Sequence, residues 1–117
     1  MSRRSSDAAA IASGDPDELL NEVRLRGRVS SDPVVRVLPC GDEIVTLRVV
    51  VGRPDGRSDA LEATAWTAGL RRRLMAWNAG DIVEIEGAVR RRFWRTPQGA
   101  ASRWDIEINA GRRVQRA

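Results

Sequence analysis

Residues 67–94, "TAGLRRRLMAWNAGDIVEIEGAVRRRFW", change their hydrophobic period part-way along. Leu70, Leu74 and Trp77 recur at the spacing of one face of a helix, and Gly80 is a candidate C-cap. From residue 81 onward apolar and polar residues alternate, which is typical of a strand with one buried face. The stretch therefore predicts a short helix that leads directly into a long strand.

Strand patterns lie on both sides of this helix. Before it come "EVRLRGRV" (22–29), continued by "VVRVL" (34–38), then "EIVTLRVVVG" (43–52) and "ALEATAW" (60–66); after the long strand comes "SRWDIEIN" (102–109). A strand-rich chain with one helix between its third and fourth strands fits a five-stranded closed barrel of the OB type. We predict an all-β OB-fold over residues 21–110.

The segments outside this range differ in composition. Residues 1–20 are rich in small residues, have no sustained period and are predicted to be a disordered tail; residues 111–117 are predicted to be a short, frayed basic end. No apolar run is long enough to span a membrane, and no secretory leader is visible. The expected location is the cytoplasm, associated with the nucleoid.

The composition argues against an enzyme. The chain has no histidine and one cysteine, Cys40, so it can form neither an internal disulfide nor the usual zinc and Ser-His or Cys-His sites. Asp32, Asp42 and Glu43 could hold Mg²⁺ in principle, but acids in turns are usually solvated. We expect no catalytic residues, cofactor, metal or small-molecule substrate.

The charge pattern favours a polyanionic partner. All 20 basic residues are arginine, and residues 21–117 hold 18 arginines against 12 acids, a net charge of +6. Guanidinium groups bind phosphates in a bidentate manner and stack on flat rings. Arg71, Arg72 and Arg73, which fan over the outer face of the helix, are predicted to be solvated.

Two tryptophans fall in the polar phase of their strands. Trp66 and Trp94 lie on strands either side of the helix, and Arg90 and Arg92 share the face of Trp94. Bases stack on aromatic rings without regard to sequence, and arginines neutralise phosphates, so this set suits single-stranded nucleic acid. The alternative is that both rings cover open barrel edges or a subunit contact. Trp104 shares the phase of two isoleucines and is predicted to be core.

The residues "NEVRLRGRVSSDPVVRVLPCG" (21–41), "AW" (65–66), "AGDIVEIEGAVRRRFW" (79–94) and "WDIEI" (104–108) resemble the bacterial single-stranded DNA-binding proteins. The resemblance implies an OB-fold that forms homo-oligomers, usually tetramers, and wraps single-stranded DNA in replication, recombination and repair. It places Trp94 and Trp66 on stacking positions. In the family pattern, Arg90 and Arg92 match the two arginines before the stacking tryptophan, and Arg36 matches the arginine after the Asp-Pro.

The chain also departs from the family pattern. The hairpin at 53–59 is short and has no ring, and Ala60 stands where the family often has an aromatic, so fewer stacking positions are expected. Family members commonly end in an acidic tail, whereas this sequence ends in the basic "GRRVQRA", so we expect a divergent member without that tail. Arg24 and Arg26 charge a strand that is usually neutral, and could border a subunit interface, contact phosphates or stay solvated.

The sequence thus predicts non-catalytic, largely sequence-independent binding of single-stranded DNA by a homo-oligomer, a tetramer or dimer. Further phosphate contacts are expected from Arg48, in the strand at 43–52, and from Arg53 and Arg57, in the hairpin that follows it. One alternative is an OB-fold interaction or assembly module of primosome type, with weakened DNA binding. The other is a metal-dependent nuclease, which the dispersed acids oppose.

Overall fold

The strands of the computed structural model, which describes residues 17–117, follow one another around a closed barrel. Residues 1–16, most of the predicted N-terminal tail, lie outside the described residues. The elements are β1 (Val23–Val29), β2 (Val34–Val37), β3 (Glu43–Gly52), β4 (Ser58–Ala65), α1 (Ala68–Met75), β5 (Ile82–Thr96) and β6 (Gly99–Gln115).

The strand order confirms the predicted OB-fold. The order is β1-β5-β6-β4-β3-β2, and a further pairing between β1 and β3 closes the ring. β4 and β6 pair in parallel, and the other neighbours pair antiparallel. The first predicted strand is broken into β1 and β2, because its second part pairs with β3 alone. The helix lies between β4 and β5, which are the third and fourth strands of the prediction.

Alternate residues of the strands fill the barrel interior, and the helix covers one end of it. The predicted core position of Trp77 is confirmed, since its side chain is 4% exposed. The buried cluster consists of Val29, Val45, Leu47, Val49, Ala63, Ala65, Leu74, Trp77, Val83, Ile85, Ile106 and Ile108. Burial at close packing is the main stabilising contribution to a domain of this size.

The helix begins at an N-cap threonine, Thr67, whose hydroxyl accepts a hydrogen bond from the backbone N–H of Leu70. It ends at Met75 with Ala76 as the C-cap, so the predicted C-cap at Gly80 is wrong. Gly80 lies instead in the turn before β5 at φ 91°, a conformation that favours glycine.

The sequence predicts that all three helix arginines are solvated, but two of them form hydrogen bonds to the barrel. Arg71 donates to the carbonyl of Glu43 at 2.8 Å, and Arg73 donates to the carbonyl of Gly111 at 3.0 Å. These bonds join the helix to β3 and β6. Arg72 is exposed, as predicted.

Strands β5 and β6 are longer than the other strands and extend beyond the barrel. They contain 15 and 17 residues, against 4 to 10 in the other strands, and remain paired as far as Thr96 and Gly99. Residues 89–105 form their outer part, which we call the long hairpin. At the other end β6 runs to Gln115, so residues 111–115 belong to the sheet and are not a frayed end.

A glycine permits the close pairing of β5 with β6. The register shifts between Glu86 and Gly87, and a Cβ atom on Gly87 would overlap the carbonyl oxygen of Glu107. Only glycine allows the two backbones this approach.

A buried carboxylate, Asp81, fastens the turn before β5. It accepts hydrogen bonds from the backbone N–H groups of Asn78 and Ala117, both at 2.9 Å. These bonds, with that of Asn78 contributing most, lower the pKa of Asp81 below its ordinary value of 3.8, although burial acts to raise it. The Arg113 guanidinium, at 3.4 Å, lowers the pKa further.

We expect Asp81→Asn to lower the melting temperature at pH 7. Because the folded-state pKa lies below the unfolded value, the carboxylate stabilises the fold above the unfolded pKa, and this contribution is lost as pH falls through the folded pKa. Thermal unfolding of wild type and variant at pH 7 and pH 3 should therefore show a smaller difference at pH 3. An equal difference at both pH values would contradict the role assigned to this charge.

Candidate nucleic-acid interface

Trp66, at the end of β4, is covered by an arginine of the long hairpin. The Arg92 guanidinium carbon lies 4.6 Å from the centre of the Trp66 ring, within the range of a cation–π contact. The ring is half-buried. In residues 17–117, Trp66 Nε1 and Arg92 Nη2 are the buried side-chain nitrogen or oxygen atoms that have no hydrogen-bond partner. One face of this predicted stacking residue is thus occupied by the protein itself.

A buried aspartate holds Arg92 in that position. Arg92 Nε donates to both carboxylate oxygens of Asp105 at 2.9 Å, and Thr64 Oγ1 donates to Asp105 Oδ2 at 2.6 Å. The side chain of Asp105 is 1% exposed, whereas that of Arg92 is 27% exposed. Arg92 therefore connects β5, β6 and β4, and its charge is already balanced within the chain.

Arg90 also forms an ion pair, but one that is exposed to solvent. Its Nε donates to Glu107 Oε2 at 2.9 Å, and both side chains are substantially exposed, at 51% and 36%. An exposed pair of this kind is worth about 0–1 kcal/mol, so a phosphate could displace the glutamate at little cost. Arg90 remains available to a ligand in a way that Arg92 is not.

Trp94, near the end of β5, is the most accessible of the predicted site residues that can stack. Its side chain is 45% exposed and lines a cleft at the end of the long hairpin, together with its neighbours Phe93 and Arg95 and the turn at 96–100. Strand alternation places it on the same face as Arg90 and Arg92. An open indole beside a guanidinium can stack a base and contact its phosphate.

Two predicted phosphate-contact arginines, Arg36 and Arg48, lie exposed on the strands before the helix. Arg36 on β2 is exposed, and its Nε lies 3.5 Å from Thr46 Oγ1 on the outer face of β3. Arg48, two residues farther along β3, shares that face and is exposed.

The hairpin between β3 and β4 neutralises one of its two arginines. Arg53 pairs with Asp55 at 2.8 Å and with Asp59 at 3.6 Å. Arg57 forms no ion pair with any residue of 17–117, although its backbone N–H donates to Asp55. Of these two predicted phosphate contacts, Arg57 is the one whose charge is free.

Arg24 and Arg26 find acidic partners within the same chain. They lie opposite Glu86 and Glu84 in the β1–β5 pairing; the Arg24–Glu86 distance is 3.6 Å, and Arg26 Nε donates to Glu84 at 2.7 Å. The hydrogen bond from Arg26 lowers the pKa of Glu84, with a further contribution from Arg112 and against the effect of burial. Since these arginines are balanced here, they add little free charge for a phosphate backbone.

Trp104 was predicted to be core, and that prediction is wrong: the side chain is 61% exposed. Trp104 has the same phase along β6 as Ile106, whose side chain is buried in the barrel. The barrel interior ends at Ile106, however, and Trp104 lies beyond this end on the long hairpin. Phe93, in the equivalent phase of β5, is 69% exposed. The sequence interpretation missed both rings as candidate site residues.

The long hairpin is free of acids until its last residue. Residues 89–104 contain Arg90, Arg91, Arg92, Arg95 and Arg103 and no aspartate or glutamate. Arg91, Arg95 and Arg103 form no ion pair with any described residue. The free positive charge of this surface therefore comes from arginines that the sequence interpretation did not select.

Two further kinds of feature are absent from residues 17–117, a metal-binding cluster and a membrane-spanning helix. In residues 17–117 no three cysteine, aspartate or glutamate side chains cluster as a metal site would require; Asp32, one of the three acids considered, accepts the backbone N–H of Ala79 at 2.8 Å. Over the same range, no helix has the length and apolar character needed to cross a bilayer.

Comparison with solved structures finds a chain of similar fold. The structure described as the Plasmodium falciparum SSB in complex with ssDNA superposes with a TM-score of 0.66, and the match covers 86% of this chain and 98% of that chain. Sequence identity is 20%. The likeness is one of fold. No family model matches the sequence.

Proposed function

We propose that this chain binds single-stranded DNA without catalysis and largely without sequence preference. The observation that carries the proposal is the exposed indole of Trp94 on an arginine-rich hairpin that has no acid from residue 89 to 104. Bases stacked on tryptophan and phosphates bound by arginine need no particular sequence. The similarity of fold to an SSB described in complex with ssDNA supports the same conclusion.

The predicted site residues take unequal parts in this proposal. Trp94 stacks a base, and Arg90 and Arg36 contact phosphates, because both arginines are exposed. Arg92 covers one face of the Trp66 ring, and the other ring face remains for a base. Arg48 and Arg57 extend the basic surface over β3 and the second hairpin.

We also propose a cellular role and an oligomeric state for this chain. A protein with this activity would protect single strands during replication, recombination or repair, in the cytoplasm at the nucleoid. We propose a homo-oligomer, a dimer or tetramer, with Arg24 and Arg26 at the border of the contact between subunits.

A second candidate function is a protein-interaction module of the primosome type. It is favoured by β2, whose valines Val34, Val35 and Val37 are 48%, 47% and 67% exposed and whose edge away from β3 is unpaired in the described residues. An open strand with apolar side chains can add a strand from a partner. The covering of Trp66 by Arg92 also favours it, since one stacking face is lost.

We expect Trp94→Ala to weaken binding to a long oligo(dT) by about 30-fold, because stacking one base contributes about 1–3 kcal/mol. Trp94→Phe should retain most of the affinity, since a phenyl ring also stacks. The measurement is a tryptophan fluorescence titration at about 50 mM and 200 mM salt, and affinity should fall as salt rises. Absence of wild-type binding at the lower salt would refute DNA binding and favour the interaction module.

A further inference from the structure

Two exposed rings enclose an arginine on the face of the long hairpin opposite Trp94. The Arg91 guanidinium carbon lies 5.2 Å from the centre of the Phe93 ring and 5.2 Å from the centre of the Trp104 ring. Arg91 is directly opposite Trp104 in the β5–β6 pairing, and its Nη2 donates to Ser102 Oγ at 3.0 Å. We call Phe93, Arg91 and Trp104 the aromatic triad.

The rings of the triad are more exposed than any residue of the predicted site that can stack. Phe93 is 69% and Trp104 61% exposed, against 45% for Trp94. The chain has five aromatic residues, and three of them lie on the long hairpin outside the core. Exposed rings grouped in this way mark a binding surface, because leaving them in water has no structural benefit.

Charge decides which class of partner the triad suits. Arg91 and Arg95 share this face of the hairpin, and neither forms an ion pair with residues 17–117. Two copies of the chain that met through this hairpin would bring together six arginines that form no ion pair within residues 17–117, namely Arg91, Arg95 and Arg103 of each copy. A polyanion removes that repulsion, and its bases can stack on both rings.

We propose that the aromatic triad is a second stacking surface for single-stranded DNA, so that a long strand contacts both faces of the long hairpin. This inference rests on the DNA binding proposed above. A short strand contacts one face alone. The triad then extends the length of DNA bound per chain and offsets the stacking positions missing from the hairpin at 53–59.

The test compares Phe93→Ala/Trp104→Ala with wild type on oligo(dT) strands of increasing length. We expect the double variant to lose about 10-fold or more affinity for the long strand, and less for strands that span one face. Met75→Ala removes a side chain that is 47% exposed on the helix, away from the hairpin, and should leave binding unchanged. Since both rings are exposed, the variant should keep the wild-type melting temperature, measured alongside.

Photo-crosslinking locates the contact directly. A long oligonucleotide carrying 5-bromodeoxyuridine should form adducts at Trp104 or Phe93 as well as at Trp94, identified by peptide mass spectrometry. Adducts at Trp94 alone, with unchanged long-strand affinity of the double variant, would overturn the inference and leave the proposed function standing. A reduced molar mass of the double variant at unchanged affinity would assign the rings to a subunit contact and also overturn it. No binding by wild type would end both proposals.

Discussion

Replacing Arg95 and Arg103 by glutamine should cause the largest loss of DNA affinity among the variants considered. Arg95 lies one pair from the turn of the long hairpin and lines the cleft of Trp94, and Arg103 lies opposite Arg92 in the middle of the hairpin. Neither forms an ion pair with any described residue. For single strands the logarithm of affinity falls with the logarithm of salt by about 0.7 per phosphate contact. The double variant loses two such contacts. If it binds as tightly as wild type at about 1 M salt, its affinity is then about 60-fold lower than that of wild type at about 50 mM salt and about 10-fold lower at about 200 mM salt.

A variant of equal charge provides the control. Arg72→Gln/Arg116→Gln also removes two arginines without ion pairs in residues 17–117, but one lies on the helix and the other after β6. It should change affinity by less than threefold at both salt concentrations, because only long-range attraction is reduced. If the two double variants weaken binding equally, net charge rather than the hairpin governs binding.

The fold could be predicted because its determinants are local. The alternation in residues 43–52 and 81–89 and the helical spacing of Leu70, Leu74 and Trp77 each depend on neighbours within one element. One helix between the third and fourth strands then left few architectures for a chain of 117 residues. The break between β1 and β2 was also visible, from the Asp-Pro turn at 32–33.

The site could be predicted only in part, because its arrangement depends on contacts between distant strands. Alternation predicted that Trp66 lies in the polar phase of its strand, but the ring is half-buried in the structure. The sequence did not reveal that Arg92, held by Asp105 of β6, covers this ring. Likewise, the phase of Trp104 was correct, but a sequence period does not reveal where the barrel ends along a strand.

The ion pairs of Arg24 and Arg26 could not be predicted from the sequence either. Arg24 and Arg26 meet Glu86 and Glu84 because of the β1–β5 register, which connects residues about 60 positions apart. A one-residue change of register would have turned these side chains to the opposite face. One sequence feature could have indicated the segment that we propose faces DNA, namely the absence of acids from residue 89 to 104.

Asp105→Ala should lower the free energy of unfolding by about 3 kcal/mol, the lower end for breaking a buried ion pair, because Arg92 keeps some access to water. Thr64 loses its acceptor at the same time. Denaturant unfolding gives this value. Glu107→Ala is the matched control: Glu107 accepts from Arg90 at the same 2.9 Å but in an exposed pair, so it should cost about 1 kcal/mol or less. Equal costs for the two variants would contradict the structural role of Asp105.

The same substitution separates positioning from DNA contact at Trp66. Without Asp105, Arg92 is no longer held over the ring, so the indole becomes more exposed and its fluorescence emission should shift to longer wavelength. The variant also gains one net positive charge on the proposed DNA face. We therefore expect folded Asp105→Ala to bind oligo(dT) at least as tightly as wild type at about 50 mM salt, although it is less stable. Weaker binding by the folded variant would instead show that the fixed position of Arg92 over Trp66 is needed for DNA to bind, and that the covered ring belongs to the stacking surface.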